Sequence, residues 1–271
     1  MGAMPQIRNS NFGFRVSNFP NSGLSPTIAT PMLPLAAVNW SSPIFWAIMI
    51  GWIISVTFHE FAHGVVAYMG GDYTIRQRGL LTLNPLKYAN PMMTLVLPLL
   101  FVAMGGIPMV GAATYVNTQL LRNKAWRSAV AAAGPMVNLI LFGICVAALC
   151  PWLGWVNPEA TAADWTPEQI FVGAMAVIQF FAALINLIPL PPLDGFNVIR
   201  PYMPANFAAR VRDPQISLGI LLVLFFILGS RDGGEFLFGA LKGALNLLHV
   251  NLYTQECIFA AYDRALFGIT G

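Results

Sequence analysis

Residues 51–70 read GWIISVTFHEFAHGVVAYMG, an apolar run that is interrupted by His59, Glu60 and His63. Residues four apart lie one above the other on an α-helix, so both imidazoles point to one place and Glu60 lies beside them. The flanking residues carry no charge. Ionisable groups at membrane depth are costly and mark functional sites, which favours a metal site over a merely structural histidine pair. The stretch predicts a membrane helix that carries a zinc site.

The composition of the chain indicates an all-α polytopic membrane protein. Of its 271 residues, 57% are hydrophobic and 9% are charged, whereas about a quarter of the residues of a soluble domain are charged. The net charge of +3 is too small and too scattered for a nucleic-acid surface. Residues 1–40 are rich in Asn, Ser, Pro and Gly and predict a flexible tail, so that residues 41–271 form a single membrane-embedded domain.

The hydropathy pattern predicts four or more core transmembrane helices. Their expected bounds are Pro43 to Met69, Ala125 to Cys150, Glu168 to Pro189 and Pro214 to Ser230. Phe236 to Val250 is shorter and carries polar residues on one stripe, which is typical of an interfacial helix or a short tilted span.

The distribution of basic residues sets the expected topology. Both flanks of the apolar segment from Pro91 to Pro108 are basic, and the positive-inside rule places both on the cytoplasmic side. This segment is therefore expected to be a re-entrant or kinked membrane segment. Residues Thr74 to Thr82 predict a small strand or hairpin at the cytoplasmic interface. The loop from Pro151 to Pro167 has no Lys or Arg and three tryptophans, which is typical of the outer face.

A second polar position follows the third core helix, in the sequence NLIPLPPLDGFN from Asn186 to Asn197. Its prolines prevent a regular helix, and irregular backbone at membrane depth requires protein or water around it. Asp194 is a natural third metal ligand there, although it could instead cap a turn with Gly195. The expected topology brings Asp194 to the same depth as the two histidines.

A polar residue also interrupts the second core helix, where Asn138 follows the run AAAGPMV that begins at Ala131. Small residues of this kind allow close approach of a neighbouring helix. Asn138 would either join helices by hydrogen bonds or donate to a substrate or an oxyanion.

Two imidazoles and a carboxylate form a three-ligand zinc site with a fourth position for water. Zinc lowers the pKa of such a water, and Glu60 is placed to take its proton. The residues therefore predict amide hydrolysis with His59, His63 and Asp194 as ligands of Zn²⁺ and Glu60 as the general base.

The combination of HEFAH at residues 59–63, AAAGPMVN at 131–138 and NLIPLPPLDG at 186–195 resembles the site-2 protease family of intramembrane zinc metalloproteases. The three motifs occur in the family's order. The segment GDYTIRQRGLLTLNPLKYANP resembles the linking segment of compact members that lack PDZ and CBS domains. The resemblance covers roughly Gly51 to Pro201.

The resemblance implies that Asn138 and Asn186 help to position the substrate backbone. It also implies that the substrates are transmembrane segments of membrane-bound regulators, cut near the cytoplasmic side in regulated intramembrane proteolysis. The expected location is a prokaryotic plasma (inner) membrane with the active site towards the cytoplasm. The chain departs from the family pattern after Gly195, where Phe196 replaces the usual small residue, and this departure bears on the substrate exit.

Two other classes of function remain open at this point. Membrane proteases that resemble the CAAX-type and heat-shock enzymes also carry H-E-x-x-H but use a glutamate as third ligand, for which Glu159, Glu168, Glu235 and Glu256 are available. A non-catalytic metal carrier or membrane scaffold is the second class. A carrier would need further ligands along a path, and a scaffold would not need Glu60. The natural substrate, an upstream protease and the oligomeric state are not set by the sequence.

Overall fold

A computed structural model of the chain describes residues 38–87, 116–157, 159–211 and 213–268. Within these ranges the chain folds into α-helices joined by 3₁₀ turns and loops. The helices are α1 (Pro43–Gly70), α2 (Thr74–Gln77), α3 (Lys124–Leu149), α4 (Pro167–Asn186), α5 (Asp194–Ile199), α6 (Ala205–Val211), α7 (Pro214–Leu228), α8 (Arg231–Leu247) and α9 (Leu252–Phe267). Most of the predicted N-terminal tail and the predicted re-entrant segment, Pro91 to Pro108, lie outside the described residues.

Three of these helices, α1, α3 and α4, are long and apolar enough to cross a membrane. Their bounds agree closely with the first three predicted spans. Helices α7 and α8 are long and apolar enough to cross a membrane only as a pair, and the chain bends by 79° between them. The prediction of an all-helical membrane protein is therefore confirmed, whereas the predicted count of four or more spans is not: the described residues contain three candidate spans, or four if the bent pair forms one.

Helix α4 forms the centre of the bundle. Within the most apolar 18-residue part of each span, 78% of α4 is buried inside the protein, against 50% of α1 and 39% of α3. Thr166 caps its first turn by accepting a hydrogen bond from the backbone N–H of Gln169, whose side chain accepts one from the N–H of Thr166 in return. At Gly173 the helix approaches Ala261 of α9 so closely that a methyl group would not fit.

The predicted strand or hairpin from Thr74 to Thr82 is wrong, because residues 74–77 form the helical turn α2 and the described residues contain no strand. Gly71, with φ 118°, ends α1 and reverses the chain. The carboxylate of Asp72 then accepts hydrogen bonds from the backbone N–H and the hydroxyl of Thr74, which starts a helical turn. Ile75 is fully buried against Ala67, so the segment packs back onto α1.

The next described residues lie beside the end of α1. The backbone N–H of Arg122 donates to the carbonyl of Gly70 at 3.0 Å, and that of Asn117 donates to Asp72 at 2.7 Å. Helix α3 therefore begins where α1 ends and runs antiparallel to it. Helix α4 runs antiparallel to α3 in turn, which brings the start of α5 back to the same end of the bundle.

The fully buried carboxylate of Asp72 yields a prediction about stability. Replacing it in Asp72→Ala leaves the N–H of the half-buried Asn117 without its acceptor, at a cost of about 2 kcal/mol. We expect the melting temperature of the detergent-solubilised protein to fall by about 5 °C. The control Asp232→Ala removes an exposed carboxylate and should leave the melting temperature unchanged; equal effects of both variants would contradict this role of Asp72.

Candidate metal centre

The two histidines of α1 lie side by side in the interior, with 8% of His59 and 7% of His63 exposed. Their Nε2 atoms are 3.1 Å apart. On the other side of each ring, Nδ1 faces an oxygen of α3. Nδ1 of His59 lies 2.5 Å from Oδ1 of Asn138, and Nδ1 of His63 lies 2.6 Å from the carbonyl oxygen of Val130.

These contacts determine which ring nitrogens carry protons. A carbonyl oxygen only accepts hydrogen bonds, so Nδ1 of both His59 and His63 must be the donor. In the neutral rings, Nε2 of each histidine then bears a lone pair, and the two lone pairs face one another. In metal-binding histidines the second ring nitrogen characteristically donates a hydrogen bond in this way, to a backbone carbonyl or a side-chain oxygen.

Asp194 completes a triangle of donor atoms. Its Oδ2 lies 3.1 Å from Nε2 of His59 and 3.4 Å from Nε2 of His63. Tetrahedral zinc with ligands at about 2.0 Å separates them by about 3.3 Å. The alternative that Asp194 caps a turn is not seen, because Leu193 occupies the cap position.

Glu60 lies next to this triangle and is 4% exposed. One of its carboxylate oxygens and one ring nitrogen of each histidine lie within 4.8 Å of one another. Helical geometry explains the arrangement, since Glu60 adjoins His59 on α1 but points to a different side of the helix. A carboxylate at this distance is placed to exchange a proton with a group held between the histidines and itself.

One face of α3 supports the pair of histidines. Val130, Gly134 and Asn138 are spaced four apart and thus form a single stripe. Val130 and Asn138 accept hydrogen bonds from the imidazoles, and Gly134 between them leaves space for the rings. A Cβ atom on Gly134 would collide with Nε2 of both histidines. The space beside the lone pairs therefore exists because residue 134 has no side chain.

Glycine is required in the same way beside Asp194. A Cβ atom on Gly195 would collide with the backbone of Leu187 and Ile188. Because Gly195 has no side chain, α5 can start directly against the end of α4. This position directs Asp194 towards the histidines. The following Phe196, the departure noted in the sequence, is 3% exposed and belongs to the interior. Ser128 of α3 secures the other end of α5 by donating to the carbonyl of Val198 at 2.6 Å.

The donor set fits a divalent cation, and zinc in particular. Three facing lone-pair atoms repel one another unless a cation lies among them. Two imidazoles with one carboxylate are the ligand set of catalytic zinc sites, which leave one position open. Among the described residues, the four glutamates considered as third ligands are all exposed and belong to no group of His, Cys, Asp and Glu that could hold a metal: Glu159, Glu168, Glu235 and Glu256.

The two asparagines differ in their surroundings. Asn138 is 2% exposed, and besides its contact with His59 its amide donates to Gln179 and Ser55. Asn186 is half-buried at the end of α4, and within the described part of the chain its side chain forms no hydrogen bond with the histidines or Asp194. The substrate-positioning role of both residues stays a prediction.

The sequence reasoning missed Gln179 and Ser55, which join Asn138 in the interior. A signal for Gln179 was present, because an amide in the middle of an apolar span needs a partner in a neighbouring helix. Ser55 offered no such signal, since a serine in a membrane helix can satisfy its hydroxyl within its own helix.

Comparison with curated proteins gives the site its context. The chain is 38% identical over 183 residues to the "Putative zinc metalloprotease Rip2" of Mycobacterium tuberculosis, which covers 67% of both chains. It is 34% identical to the protein of the same name from Mycolicibacterium smegmatis, covering 74% of this chain and 72% of the relative. It is also 34% identical to the "Putative zinc metalloprotease YwhC" of Bacillus subtilis, covering 68% and 82%.

The chain belongs to the site-2 protease family. It is a membrane zinc metalloprotease, and the carrier or scaffold alternative is not favoured. Neither a protein-family model nor a solved structure matches the chain. Zinc is the cofactor of this protein, in agreement with the donor set.

Gly134 provides a steric test of the centre. In Gly134→Ala the added methyl group overlaps the two ring nitrogens, and we expect the purified protein to retain less than about one tenth of the wild-type zinc, because ligand geometry tolerates only small displacements. Gly143→Ala is the matched control, since Gly143 lies on the same helix with nothing within 4 Å of its Cβ position. Full zinc content in Gly134→Ala, measured by elemental analysis, would place the metal elsewhere.

Proposed function

We propose that residues 41–271 form an intramembrane protease that hydrolyses peptide bonds in or near transmembrane segments of other membrane proteins. The observation that carries this proposal is the convergence of His59, His63 and Asp194, with Glu60 beside them, on a helix long enough to span the bilayer. Soluble substrates would have no access to chemistry at this depth unless their chain entered the membrane.

The roles follow from the geometry of the side chains. His59, His63 and Asp194 would hold the zinc ion. Zinc in such a site supplies Lewis acidity, which polarises a carbonyl oxygen and makes water a nucleophile at neutral pH. Glu60 accepts the proton of the attacking water and delivers it to the departing amine, so that the carboxylate is regenerated in each cycle.

The depth of the site constrains the substrate. His63 lies seven residues before the end of α1, which is about 10 Å along the helix axis. A transmembrane helix has all its backbone groups paired, so a substrate must unwind before its carbonyl can reach the centre. Asn186, at the end of α4 on the same side of the bundle, is available to hold an unwound strand. Membrane-bound regulators are the class of substrate that fits regulated intramembrane proteolysis.

The end of the bundle that carries the site would face the cytoplasm of a prokaryotic plasma membrane. Basic residues concentrate at this end, after α1 and at the start of α3: Arg76, Arg78, Lys87, Arg122, Lys124 and Arg127. The loop between α3 and α4 has none. This asymmetry supports the orientation through the positive-inside rule.

Separating zinc binding from cleavage tests the assigned chemistry. We expect Glu60→Gln to retain its zinc and to lose cleavage of a model transmembrane substrate by about 100- to 10,000-fold, because it removes the proton acceptor only. Asp194→Ala should lose both zinc and cleavage. The measurements are metal content and product formation with purified protein, and cleavage by Glu60→Gln at the wild-type rate would refute the proposed role.

Cysteine labelling tests the orientation. After replacement of the three native cysteines by alanine, single cysteines are introduced at Leu86, which is 81% exposed, and at Trp152, which is 75% exposed. These positions lie at opposite ends of the bundle. A membrane-impermeant maleimide should label position 152 in intact cells and position 86 only after permeabilisation. The reverse labelling pattern would show that the site faces the outside of the cell.

A further inference from the structure

Three side chains from three helices form a closed hydrogen-bonded cluster next to His59. Ser55 of α1, Asn138 of α3 and Gln179 of α4 are each no more than 2% exposed. The Oε1 atom of Gln179 lies 2.8 Å from the hydroxyl of Ser55 and 2.6 Å from the amide nitrogen of Asn138. That amide nitrogen is also 3.3 Å from the hydroxyl oxygen of Ser55.

The orientation of the two amides in the structure gives the direction of each hydrogen bond in this cluster. Oε1 of Gln179 can only accept, so both Ser55 and the NH₂ group of Asn138 donate to it. With its NH₂ group turned to Gln179, Asn138 presents Oδ1 to His59. An oxygen at that position requires a proton on Nδ1 of His59, which leaves the lone pair on Nε2, towards His63 and Asp194.

We propose that Gln179 is a positioning residue that holds His59 in its metal-binding tautomer by fixing the orientation of the Asn138 amide. This inference rests on the proposed function, because it assigns a purpose to Gln179 only if the centre binds zinc. Gln179 makes no contact with the donor atoms themselves. It acts through Asn138, two hydrogen bonds away from the imidazole.

The alternative orientation shows what Gln179 prevents. The two ends of an asparagine amide are nearly equal in shape, so without an acceptor on α4 the Asn138 side chain can rotate by half a turn. Its NH₂ group would then face Nδ1 of His59 and stabilise the tautomer with the proton on Nε2. That proton would point into the metal centre and compete with zinc.

The test replaces Gln179 by methionine, which has a similar shape but no strong acceptor. We expect Gln179→Met to weaken the zinc affinity of the purified, detergent-solubilised protein by about 10- to 100-fold, as loss of such supporting hydrogen bonds does elsewhere. Affinity is measured by competition with a chelator. Gln179→Glu restores an acceptor at this position and should recover most of the affinity.

Gln169→Met is the matched control. Gln169 is a buried glutamine of the same helix, and its side chain donates to the carbonyl of Trp155 at 2.7 Å, far from the histidines. This variant should lose stability to heat to a similar extent as Gln179→Met but keep the wild-type zinc affinity. Equal zinc affinities of wild type and Gln179→Met would overturn the inference, and so would an equal loss in both glutamine variants.

A second measurement detects the tautomer directly in zinc-free protein. The chain has only three histidines, so a His249→Gln variant and a His63→Gln variant identify the ring-nitrogen NMR signals of two of them and leave those of His59. We expect Nδ1 of His59 to carry the proton in the wild type and Nε2 to gain it in Gln179→Met. An unchanged tautomer would overturn the inference. If Gln179→Met does not fold, Ser55→Ala removes the other donor to the same oxygen and should give a smaller shift in the same direction.

Failure of this inference differs from failure of the proposed function. A wild-type protein that binds no zinc would refute the function and the inference together. A wild-type protein that binds zinc and cleaves its substrate, with Gln179→Met equal to it in affinity and tautomer, would refute only the role of Gln179.

Discussion

Two imidazole nitrogens and a carboxylate oxygen, held 3.1 to 3.4 Å apart in a largely buried site, repel one another. A cation turns this repulsion into attraction, and much of the described structure serves to hold the three atoms in place. Helix α1 provides two of them by its own periodicity. The third must come from a distant part of the sequence, and the bundle around α4 is arranged to bring it there.

Helix α3 provides no ligand, yet the centre depends on it. Its stripe of Val130, Gly134 and Asn138 determines the tautomers of both histidines and leaves room between them. A backbone carbonyl performs at His63 the task that a side-chain amide performs at His59. The carbonyl is fixed by the helix itself, whereas the amide can rotate and needs further partners, which explains why Ser55 and Gln179 are found on one side only.

The side chains that the structure brings together are those that local chemistry indicated in the sequence, while their roles as ligands stay a prediction. The histidine pair is set by helical periodicity, and Asp194 by an acid placed after prolines at membrane depth. An amide in the middle of an apolar helix indicated that Gln179 needs a partner, but which neighbour it meets depends on how α4 is rotated against α1 and α3, and the sequence does not give that rotation. The strand expected from Thr74 to Thr82 did not form, because Asp72 accepts hydrogen bonds from Thr74 at the start of a helical turn and burial of Ile75 against α1 overrides the local preference.

The separation of the ligands along the chain affects the order of events during synthesis. His59 and Asp194 are 135 residues apart, and α3 and α4 lie between them. While the ribosome still translates that interval, the histidine helix has entered the bilayer without its acidic partner. The set of three ligands that we propose therefore stays incomplete until α5 has followed α4 into place.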